Sequence, residues 1–413
     1  MYCRWVEPHW EGKLSAPYVH IVFGARQVGK TTLLKSLLPG DATIVDLARP
    51  RERLQYLSDP DLLVRLCQGL PERTRPHTVF VDEAQSVPAV FDAIQYLYDA
   101  DKNRFRFVVC GSSARKLRRS GANLLPGRSF LHRMFPLTLA ERPAPQVLPD
   151  GFESILPFTL ATTKASPAFP KADLLERLAW GELPGVVTAE EEHRSDLLAT
   201  YAMVHLEEEM RREAMVRDWP AFVRFLRLAA TESGQILNYS KISREAGITV
   251  PTVKSHYQLL EDMFLGFRVP GFSGSSRRTL LGTDRFFFFD LGIRHAAAGL
   301  ESSPAAVSMQ PGPLFEQWVG IELWKRLQYL GTGKLYYLRT KDGAEVDFIL
   351  ERDGALIPIE VKWTERPSLA DARHLRTFMA EHPRVARRGF IVCRCHAPLA
   401  LDERITAIPW WGL

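Results

Sequence analysis

The sequence has few cysteines and lacks any long hydrophobic run. It contains five cysteines in 413 residues. The segment Cys393-Arg-Cys395-His396 is too tight for a C-x-x-C metal knuckle, and no second pair of cysteines exists. We therefore interpret the cysteines as reduced thiols and predict a cytoplasmic protein. No apolar run approaches the ~20 residues of a membrane-spanning helix, and the first residues lack the apolar core of a secretory signal, so we expect no membrane partner.

The chain also lacks a strong charge of one sign. Its formal net charge is +5 at pH 7, which permits a nucleic-acid partner but does not demand one. Hydrophobic residues make up 46% of the sequence, an ordinary share for a protein that buries real cores. The length predicts about two to four domains.

What the sequence does contain is a glycine-rich loop that ends in a lysine, at residues 24–31. Its letters GARQVGKT fit the phosphate-binding pattern G-x-x-x-x-G-K-[ST]. A predicted strand at 20–23 precedes the loop and an amphipathic helix at 32–38 follows it, which disfavours the alternative of a chance turn. Backbone N–H groups of such a loop wrap phosphates, while Lys30 would reach the β- and γ-phosphates and Thr31 would ligate Mg²⁺. The predicted ATP-binding residues here are Gly24, Ala25, Arg26, Gln27, Val28, Gly29, Lys30, Thr31 and Thr32.

The second feature typical of a nucleotide site is a pair of acidic residues after the apolar run at 77–81. This run is typical of a buried parallel strand, and it ends in Asp82 and Glu83. Ligands of open α/β sheets bind at the carboxyl ends of such strands. We predict that Asp82 holds Mg²⁺ together with Thr31, and that Glu83 polarises the attacking water. The alternative is an acidic loop without a role.

A third predicted strand, at 105–110, precedes two serines. Ser112 or Ser113 could sense the γ-phosphate, and Ser112 is our predicted nucleotide contact. An arginine beyond it could act as an arginine finger, in the same chain or in a neighbouring subunit, and we place Arg128 ahead of Arg115. The alternative for these cations is a solvated or nucleic-acid-facing surface. The basic cluster consists of Arg115, Lys116, Arg118, Arg119, Arg128 and Arg133.

The order of elements predicts an α/β fold class with several domains. Strands alternate with helices in the first third of the chain, which indicates a P-loop domain with a mainly parallel sheet at 1–142. A proline-rich connector and a charged helical lid follow at 143–219. The four strands expected in the first domain lie near 20–23, 43–47, 78–82 and 105–110.

Residues 220–292 carry the pattern of a winged helix-turn-helix. Three helices are expected, with a glycine-bearing turn at Gly247 between the second and the third. Two strands would follow, with a wing between them. The alternative is a module that packs or contacts protein. The helices are expected at 222–231, 240–247 and 249–262. The residues expected to face DNA are Thr252, Lys254, Ser255, His256 and Gln258 on the third helix, and Arg277 and Arg278 in the wing.

The C-terminal region, 300–413, has two strands with alternating polarity. Alternation places Asp347 on a polar face of the first strand, and Glu360 with Lys362 on a polar face of the second. A turn at 352–354 would join them as a hairpin. Glu316 lies on the apolar stripe of an upstream helix, where a buried carboxylate needs a partner. We predict a nuclease-type metal site of Glu316, Asp347 and Glu360, with Lys362 positioning the attacking water. The alternative is two ordinary amphipathic strands with solvated charges.

Taken together, the motifs resemble those of a family of prokaryotic P-loop ATPases. This family pairs an AAA-like ATPase domain with a C-terminal domain of unknown function that is related to PD-(D/E)xK nucleases. The resemblance covers nearly the whole chain and implies an ATP-binding protein with a winged helix between ATPase and nuclease-like domains. The segments that carry it are GARQVGKTT, VFVDEAQ, CGSSAR, LLPGRSFLHRMFPLTLAE, GELPGVV, SGQILNYSKISREAGITVPTVKSHYQLLED, LFEQWVGIEL, EVDFIL and IPIEVK.

Two positions depart from that family. Residues 207–212 read EEEMRR where members often carry an Arg-Asp pair. Asp347 follows Val346, whereas the metal aspartate of the nuclease superfamily often follows proline.

These observations predict an Mg²⁺-dependent ATPase whose hydrolysis drives a change in a C-terminal module on DNA. ATP and Mg²⁺ are the expected cofactors, with DNA and further copies of the same chain as candidate partners. The competing interpretation is an ATP-switched protein-interaction module with an inactive nuclease-like scaffold. A metabolite kinase is disfavoured because no residues for a small acceptor pocket are evident.

Overall fold

A computed structural model describes residues 4–112, 125–146, 169–205, 216, 218–273, 283–340 and 343–413. The chain divides into two compact units. The N-terminal unit is Arg4–Phe135 together with Leu259–Leu265, and the C-terminal unit is Pro136–Gln258 together with Gly266–Leu413. The four predicted domain ranges stay predictions.

The N-terminal unit is built on a sheet of five parallel strands in the order β2-β3-β4-β1-β5. The prediction of a mainly parallel α/β domain is confirmed. The unit contains, in chain order, α1 (Glu7–Leu14), β1 (Val19–Phe23), α2 (Lys30–Leu37), β2 (Thr43–Asp46), α3 (Pro50–Ser58), α4 (Leu62–Gln68), β3 (His77–Asp82), a 3₁₀ turn (Ala84–Ser86), α5 (Ala89–Ala100), β4 (Phe105–Gly111) and β5 (Ser129–Arg133).

Strand β5 is the element of this sheet that the sequence did not predict. It is short and lies at the sheet edge, beside β1. Phe130 and Leu131 are 41% and 54% exposed, so the strand lacks the continuous buried run that marks β1, β3 and β4. Edge strands with solvated side chains give a weak signal of this kind.

A buried pair of histidines joins β1 to β5. His20 Nδ1 lies 3.1 Å from His132 Nε2, and the two side chains are 0% and 7% exposed. Burial, with the neighbouring His20 charge as a smaller cause, lowers the pKa of His132 to about 3. Burial also lowers the pKa of His20. Both rings are therefore neutral in the folded protein at neutral pH.

The histidine pair makes the N-terminal unit sensitive to acid. The folded pKa of His132 lies below its ordinary value, so its contribution is fully present above pH 6.5 and is lost as the pH falls toward 3. We expect the free energy of unfolding to fall by up to about 5 kcal/mol from this group across that window. Urea titrations at several pH values, comparing wild type with His132→Asn, measure the effect. A matched control is the exposed His193→Asn, and equal acid sensitivity of all three proteins would contradict the assignment.

The C-terminal unit combines helices with a six-stranded mixed sheet in the order β12-β13-β11-β10-β9-β8 and a two-stranded sheet of β6 and β7. Its helices are α6 (Leu174–Trp180), α7 (Pro184–Val187), α8 (Glu191–Thr200), α9 (Trp219–Thr231), α10 (Tyr239–Ala246), α11 (Val250–Asp262, whose last turn belongs to the N-terminal unit), α12 (Leu291–Ala298), α13 (Pro304–Ser308), α14 (Pro311–Leu330) and α15 (Arg373–Glu381). Its strands are β6 (Gly266–Val269), β7 (Arg285–Phe288), β8 (Lys334–Arg339), β9 (Glu345–Arg352), β10 (Ala355–Val361), β11 (Gly389–Cys393), β12 (Leu399–Ala400) and β13 (Ile405–Pro409).

The predicted hairpin of the C-terminal region is confirmed. Strands β9 and β10 pair antiparallel, with Ala355 opposite Arg352. Only Asp353 and Gly354 remain for the loop, and their φ angles are +50° and +76°. Two positive φ angles are what a tight two-residue hairpin turn requires, and glycine accepts such a φ without strain.

The three helices expected at 220–262 also form. Asn238 caps α10 by accepting a hydrogen bond from Lys241 N at 2.9 Å, and Gly247 ends it in the left-handed conformation with φ +71°. Strands β6 and β7 then pair antiparallel. The identification of this arrangement as a winged helix stays a prediction, and the wing arginines Arg277 and Arg278 lie outside the described residues.

The cysteines and the apolarity of the helices can be examined in the described residues. Cys67, Cys110, Cys393 and Cys395 are buried free thiols, and Cys3 lies outside the described residues. Within the described ranges, no helix combines the length and apolarity that crossing a membrane requires.

Candidate functional site

The glycine-rich loop lies between β1 and α2, at the carboxyl end of β1. Its turn needs two left-handed residues, Gln27 with φ +61° and Gly29 with φ +92°. Gly24 has no room for a side chain, because a Cβ there would lie 2.2 Å from the carbonyl oxygen of Met134. The loop then enters α2 directly, so the backbone N–H groups of its first turn point toward the loop. Of the nine predicted ATP-binding residues, 24–29 form this loop and 30–32 form the first turn of α2.

The Lys30 side chain forms hydrogen bonds with the beginning of this loop. Its side chain is buried, and Nζ donates to the carbonyl oxygens of Gly24 and Ala25, each at 2.8 Å. The ammonium group therefore stands at the concave side of the loop, where phosphate oxygens bind in loops of this kind.

Thr31 and Asp82 meet, as the sequence interpretation requires. Thr31 Oγ1 donates to Asp82 Oδ2 at 2.9 Å. Asp82 Oδ1 accepts from Glu83 N at 3.0 Å and from the thiol of Cys110 at 2.8 Å. A hydroxyl and a carboxylate side by side are the hard oxygen ligands that Mg²⁺ prefers, so this pair fits the ion.

Glu83 follows Asp82 in a left-handed conformation, with φ +53°. Non-glycine residues adopt this conformation rarely, and it turns the side chain out of the strand direction. Gln85 Nε2 donates to Glu83 Oε2 at 2.5 Å and to Ser112 Oγ at 3.1 Å. The predicted base and the predicted phosphate sensor are therefore joined through one amide. Gln85 was missed at the sequence level, although it lies within the VFVDEAQ segment that carried the resemblance.

Arg4 is a second residue that sequence reasoning missed. It is 4% exposed, and its guanidinium donates to the carbonyl oxygen of Val28 at 2.6 Å and to that of Phe135 at 2.8 Å. The side chain therefore supports the glycine-rich loop from behind. No local sequence signal marks such an arginine, because its partners lie 24 and 131 residues away.

Arg128 does not lie near the glycine-rich loop of its own chain. It precedes β5, whose first residue pairs with Val19 at the beginning of β1, and its Nε forms an ion pair with Asp99 at 2.6 Å. Because β1 and β5 are parallel, Arg128 lies at the amino end of the sheet and the loop at the carboxyl end, about 16 Å apart along the strand. The geometry thus excludes Arg128 as a finger at its own site. A role in a neighbouring subunit stays a prediction, and Arg115 and Ser113 lie outside the described residues.

The acidic residues of the C-terminal unit also come close together. Phe348 pairs with Ile359, which places Asp347 and Glu360 at the next opposed positions of β9 and β10. Asp347 Oδ2 accepts a hydrogen bond from Val361 N at 2.8 Å. Burial, reinforced by the charge of Asp347, raises the pKa of Glu360 to about 8. The same two causes raise the pKa of Glu316 to about 7.

Two cations form ion pairs with members of this acidic cluster. Lys362 Nζ donates to Glu360 Oε1 at 2.6 Å. Arg285, which is 5% exposed, donates to Glu316 at 2.7 Å and approaches Glu345 at 3.4 Å. In the described part of the chain, no group of three or more His, Cys, Asp or Glu side chains is arranged to hold a metal ion. Of the three predicted metal ligands, Glu316 and Glu360 therefore each have a cationic partner, and Asp347 accepts a backbone hydrogen bond.

Helix α11, the third helix of the predicted helix-turn-helix, exposes only some of the residues considered for contact with DNA. Lys254, Ser255 and Gln258 are exposed, and the Lys254 ammonium stands 5.3 Å from the ring centre of Tyr239. His256, in contrast, is 8% exposed and packs edge-on against Phe222 with ring centres 5.0 Å apart. His256 is therefore not one of the positions of this helix that could face DNA, because helical periodicity turns it to the side of Val253 and Tyr257.

Comparison with known families supports the interpretation of the first site. Residues 16–142 match the family model of an AAA domain. This match indicates a nucleotide-binding domain of the ATPase type. Residues 171–304 and 311–413 match two domains of unknown function, DUF8612 and DUF4143. The resemblance drawn from the motifs is thus supported for its ATPase-like and DUF4143 parts, while no matched description names a nuclease or a winged helix.

Two proteins with similar sequences are described as uncharacterized. The chain is 24% identical over 399 residues to an uncharacterized protein of Mycobacterium tuberculosis, covering 95% of this chain and 80% of the relative. It is also 24% identical over 365 residues to an uncharacterized protein of Haemophilus influenzae, covering 83% and 82% of the two chains. A crystal structure of a Vibrio cholerae protein matches 94% of each chain at 13% identity, and its TM-score of 0.18 is too low to carry an argument.

Proposed function

We propose that this chain binds ATP with Mg²⁺ in the loop at 24–32 and hydrolyses it. The observation that carries the proposal is the hydrogen bond from Thr31 to Asp82, because it joins the phosphate-binding loop to the acidic end of β3. Lys30 is the residue before Thr31 in the chain, and Glu83 is the residue after Asp82. Glu83 would distinguish a protein that hydrolyses ATP from one that only binds it, because hydrolysis needs a carboxylate that can accept a proton from water.

Each residue has a distinct role in this proposal. The backbone N–H groups of the loop and the Lys30 ammonium bind the β- and γ-phosphates. Thr31 and Asp82 hold Mg²⁺, which when bound would neutralise charge on the phosphates. Glu83 orients the attacking water, and the Ser112 hydroxyl contacts the γ-phosphate.

Lys30→Ala should abolish tight ATP binding. The variant removes a buried ammonium whose hydrogen bonds to phosphate are charge-assisted, so we expect the Kd for ATP to rise roughly 100-fold or more. Isothermal titration with ATP and Mg²⁺ measures it. The matched control is Lys35→Ala, an exposed lysine on the same helix, and equal affinity of both variants would remove Lys30 from the phosphate site.

The proposal extends to DNA as the partner on which the ATPase acts. It is supported by the capped α10, the left-handed Gly247 turn and the exposed Lys254 and Ser255 of α11. Contacts of this kind are made mainly to phosphates, and the modest net charge predicts weak binding.

The competing function is an ATP-switched protein-interaction module with an inactive nuclease-like scaffold. One observation favours it. Arg285, which has no place in the predicted metal site, forms an ion pair with Glu316, one of the carboxylates that a catalytic metal would need.

DNA binding and cleavage assays separate the two functions. If DNA is the partner, its Kd should rise steeply with salt, and the charge reversals Arg277→Glu and Arg278→Glu should weaken binding. Glu381→Lys on an exposed helix end is the charge control. Cleavage that needs Mg²⁺ or Mn²⁺ and is lost in Asp347→Ala and Lys362→Ala would support the nuclease prediction. Binding insensitive to salt and to these reversals, with no cleavage, would support the scaffold.

A further inference from the structure

The contacts of Gln85 place it between the two groups that must act together in hydrolysis. Its side chain is 7% exposed. The Glu83 carboxylate can only accept hydrogen bonds, so the Gln85 atom facing it must be the amide nitrogen. That nitrogen has two hydrogens and reaches two acceptors, Glu83 Oε2 and Ser112 Oγ.

This orientation leaves the other end of the amide in an unusual position. Gln85 Oε1 is buried and, among the described residues, has no hydrogen-bond partner. A buried amide oxygen without a partner costs free energy, so the orientation is maintained by the two bonds that the nitrogen donates. Gly111 provides the space, because a Cβ at that position would lie 2.4 Å from Gln85 Oε1.

We propose that Gln85 is a positioning residue that couples the γ-phosphate contact at Ser112 to the orientation of Glu83. The inference rests on the proposed ATPase function. Ser112 Oγ accepts from Gln85 and keeps its own proton to donate to a phosphate oxygen. Glu83 is held through one carboxylate oxygen, which leaves the other for the attacking water. An arriving γ-phosphate therefore meets a hydroxyl and a base that are already fixed relative to each other.

The first test separates turnover from binding. Gln85→Met keeps the length of the side chain and removes both donors. We expect kcat to fall roughly 10- to 100-fold, as for small misplacements of catalytic groups, with the Kd for ATP within about threefold of wild type. Suppose that Glu83→Gln loses turnover but the separate variant Gln85→Met keeps the wild-type kcat. This result would overturn the coupling and leave the ATPase function standing. No measurable ATP turnover in wild type would instead overturn the ATPase function, and the coupling with it.

The second test uses the space at Gly111. Gly111→Ala should displace the Gln85 amide and lower kcat about as much as Gln85→Met does. In a Gln85→Ala background the new methyl group meets no amide, so Gly111→Ala should change kcat less than about twofold there. An equal fall in both backgrounds would show that Gly111 acts on packing alone and would overturn the proposed geometry.

The third test uses pH, which a packing role would not affect. Gln85→Glu places a second carboxylate against Glu83, and like charges at this distance raise the pKa of the pair. The acid limb of the kcat profile should therefore move to higher pH in Gln85→Glu and stay in place in Gln85→Met. A fall in kcat that is the same at every pH in Gln85→Glu would overturn the direct contact.

Discussion

Glu83→Gln is expected to lower ATP turnover by roughly 10³-fold while ATP still binds, within the range that a general base contributes. The amide has the shape of the carboxylate and can still accept the hydrogen bond from Gln85. It cannot take a proton from water. Lys30, Thr31 and Asp82 keep their contacts, so the affinity for ATP should stay within a few-fold of wild type.

Phosphate release at saturating ATP, with affinity measured separately, checks this expectation. Glu72→Gln, an exposed carboxylate in the same unit, is the matched control. If Glu83→Gln hydrolysed ATP as fast as the control, Glu83 would have no catalytic role. If neither protein hydrolysed ATP, the chain would be a nucleotide binder.

Glu322→Ala is expected to lower the free energy of unfolding of the C-terminal unit by about 3–5 kcal/mol, the usual result of removing one partner of a buried charge network. Glu322 is 1% exposed. Its Oε1 accepts from Arg326 Nε at 2.8 Å and from Leu139 N at 2.9 Å, and its Oε2 lies 3.0 Å from Lys325 Nζ. Burial acts to raise the pKa of Glu322, but the two cations outweigh it and bring the pKa to about 2. The carboxylate is therefore charged at neutral pH, and its loss removes a counter-charge that two buried cations share.

Chemical denaturation followed by fluorescence measures this loss. Glu381→Ala, an exposed carboxylate at the end of α15, should change stability by less than about 0.5 kcal/mol. Glu322→Gln keeps a hydrogen-bond acceptor, so its loss of unfolding free energy should lie between those of Glu322→Ala and Glu381→Ala. A loss below about 1 kcal/mol in Glu322→Ala would mean that Lys325 and Arg326 find other partners.

The predictable parts of the fold and site were those encoded by neighbouring residues. The spacing from Gly24 to Thr31 and the apolar run before Asp82 each lie within one strand–loop segment, so both could be located without coordinates. The side by side placement of Thr31 and Asp82 followed from the general rule that parallel strands share a carboxyl edge.

The missed parts depend on contacts between distant segments or on strand direction. Gln85 and Ser112 are 27 residues apart, and no pattern in either segment indicates the other. Arg128 is close in sequence to Ser112, yet it precedes a strand instead of following one, which puts it at the amino end of the parallel strands.

In the C-terminal unit, alternation placed Asp347 and Glu360 correctly on opposed strands. It could not show that Arg285, 31 residues before Glu316, would occupy the same cluster. A sequence pattern gives the ligands that a site could offer. It does not give the competing cation that another strand brings to them.

The two hydrogen bonds from Lys30 to Gly24 and Ala25 have a consequence for the kinetics and thermodynamics of ligand entry. The ammonium holds the loop in its curved shape before any phosphate arrives, so the conformational entropy of these residues is lost during folding. A ligand then exchanges hydrogen bonds at one ammonium and does not have to order a coil. Association should accordingly follow a single bimolecular phase, without a slow first-order step that saturates with nucleotide concentration.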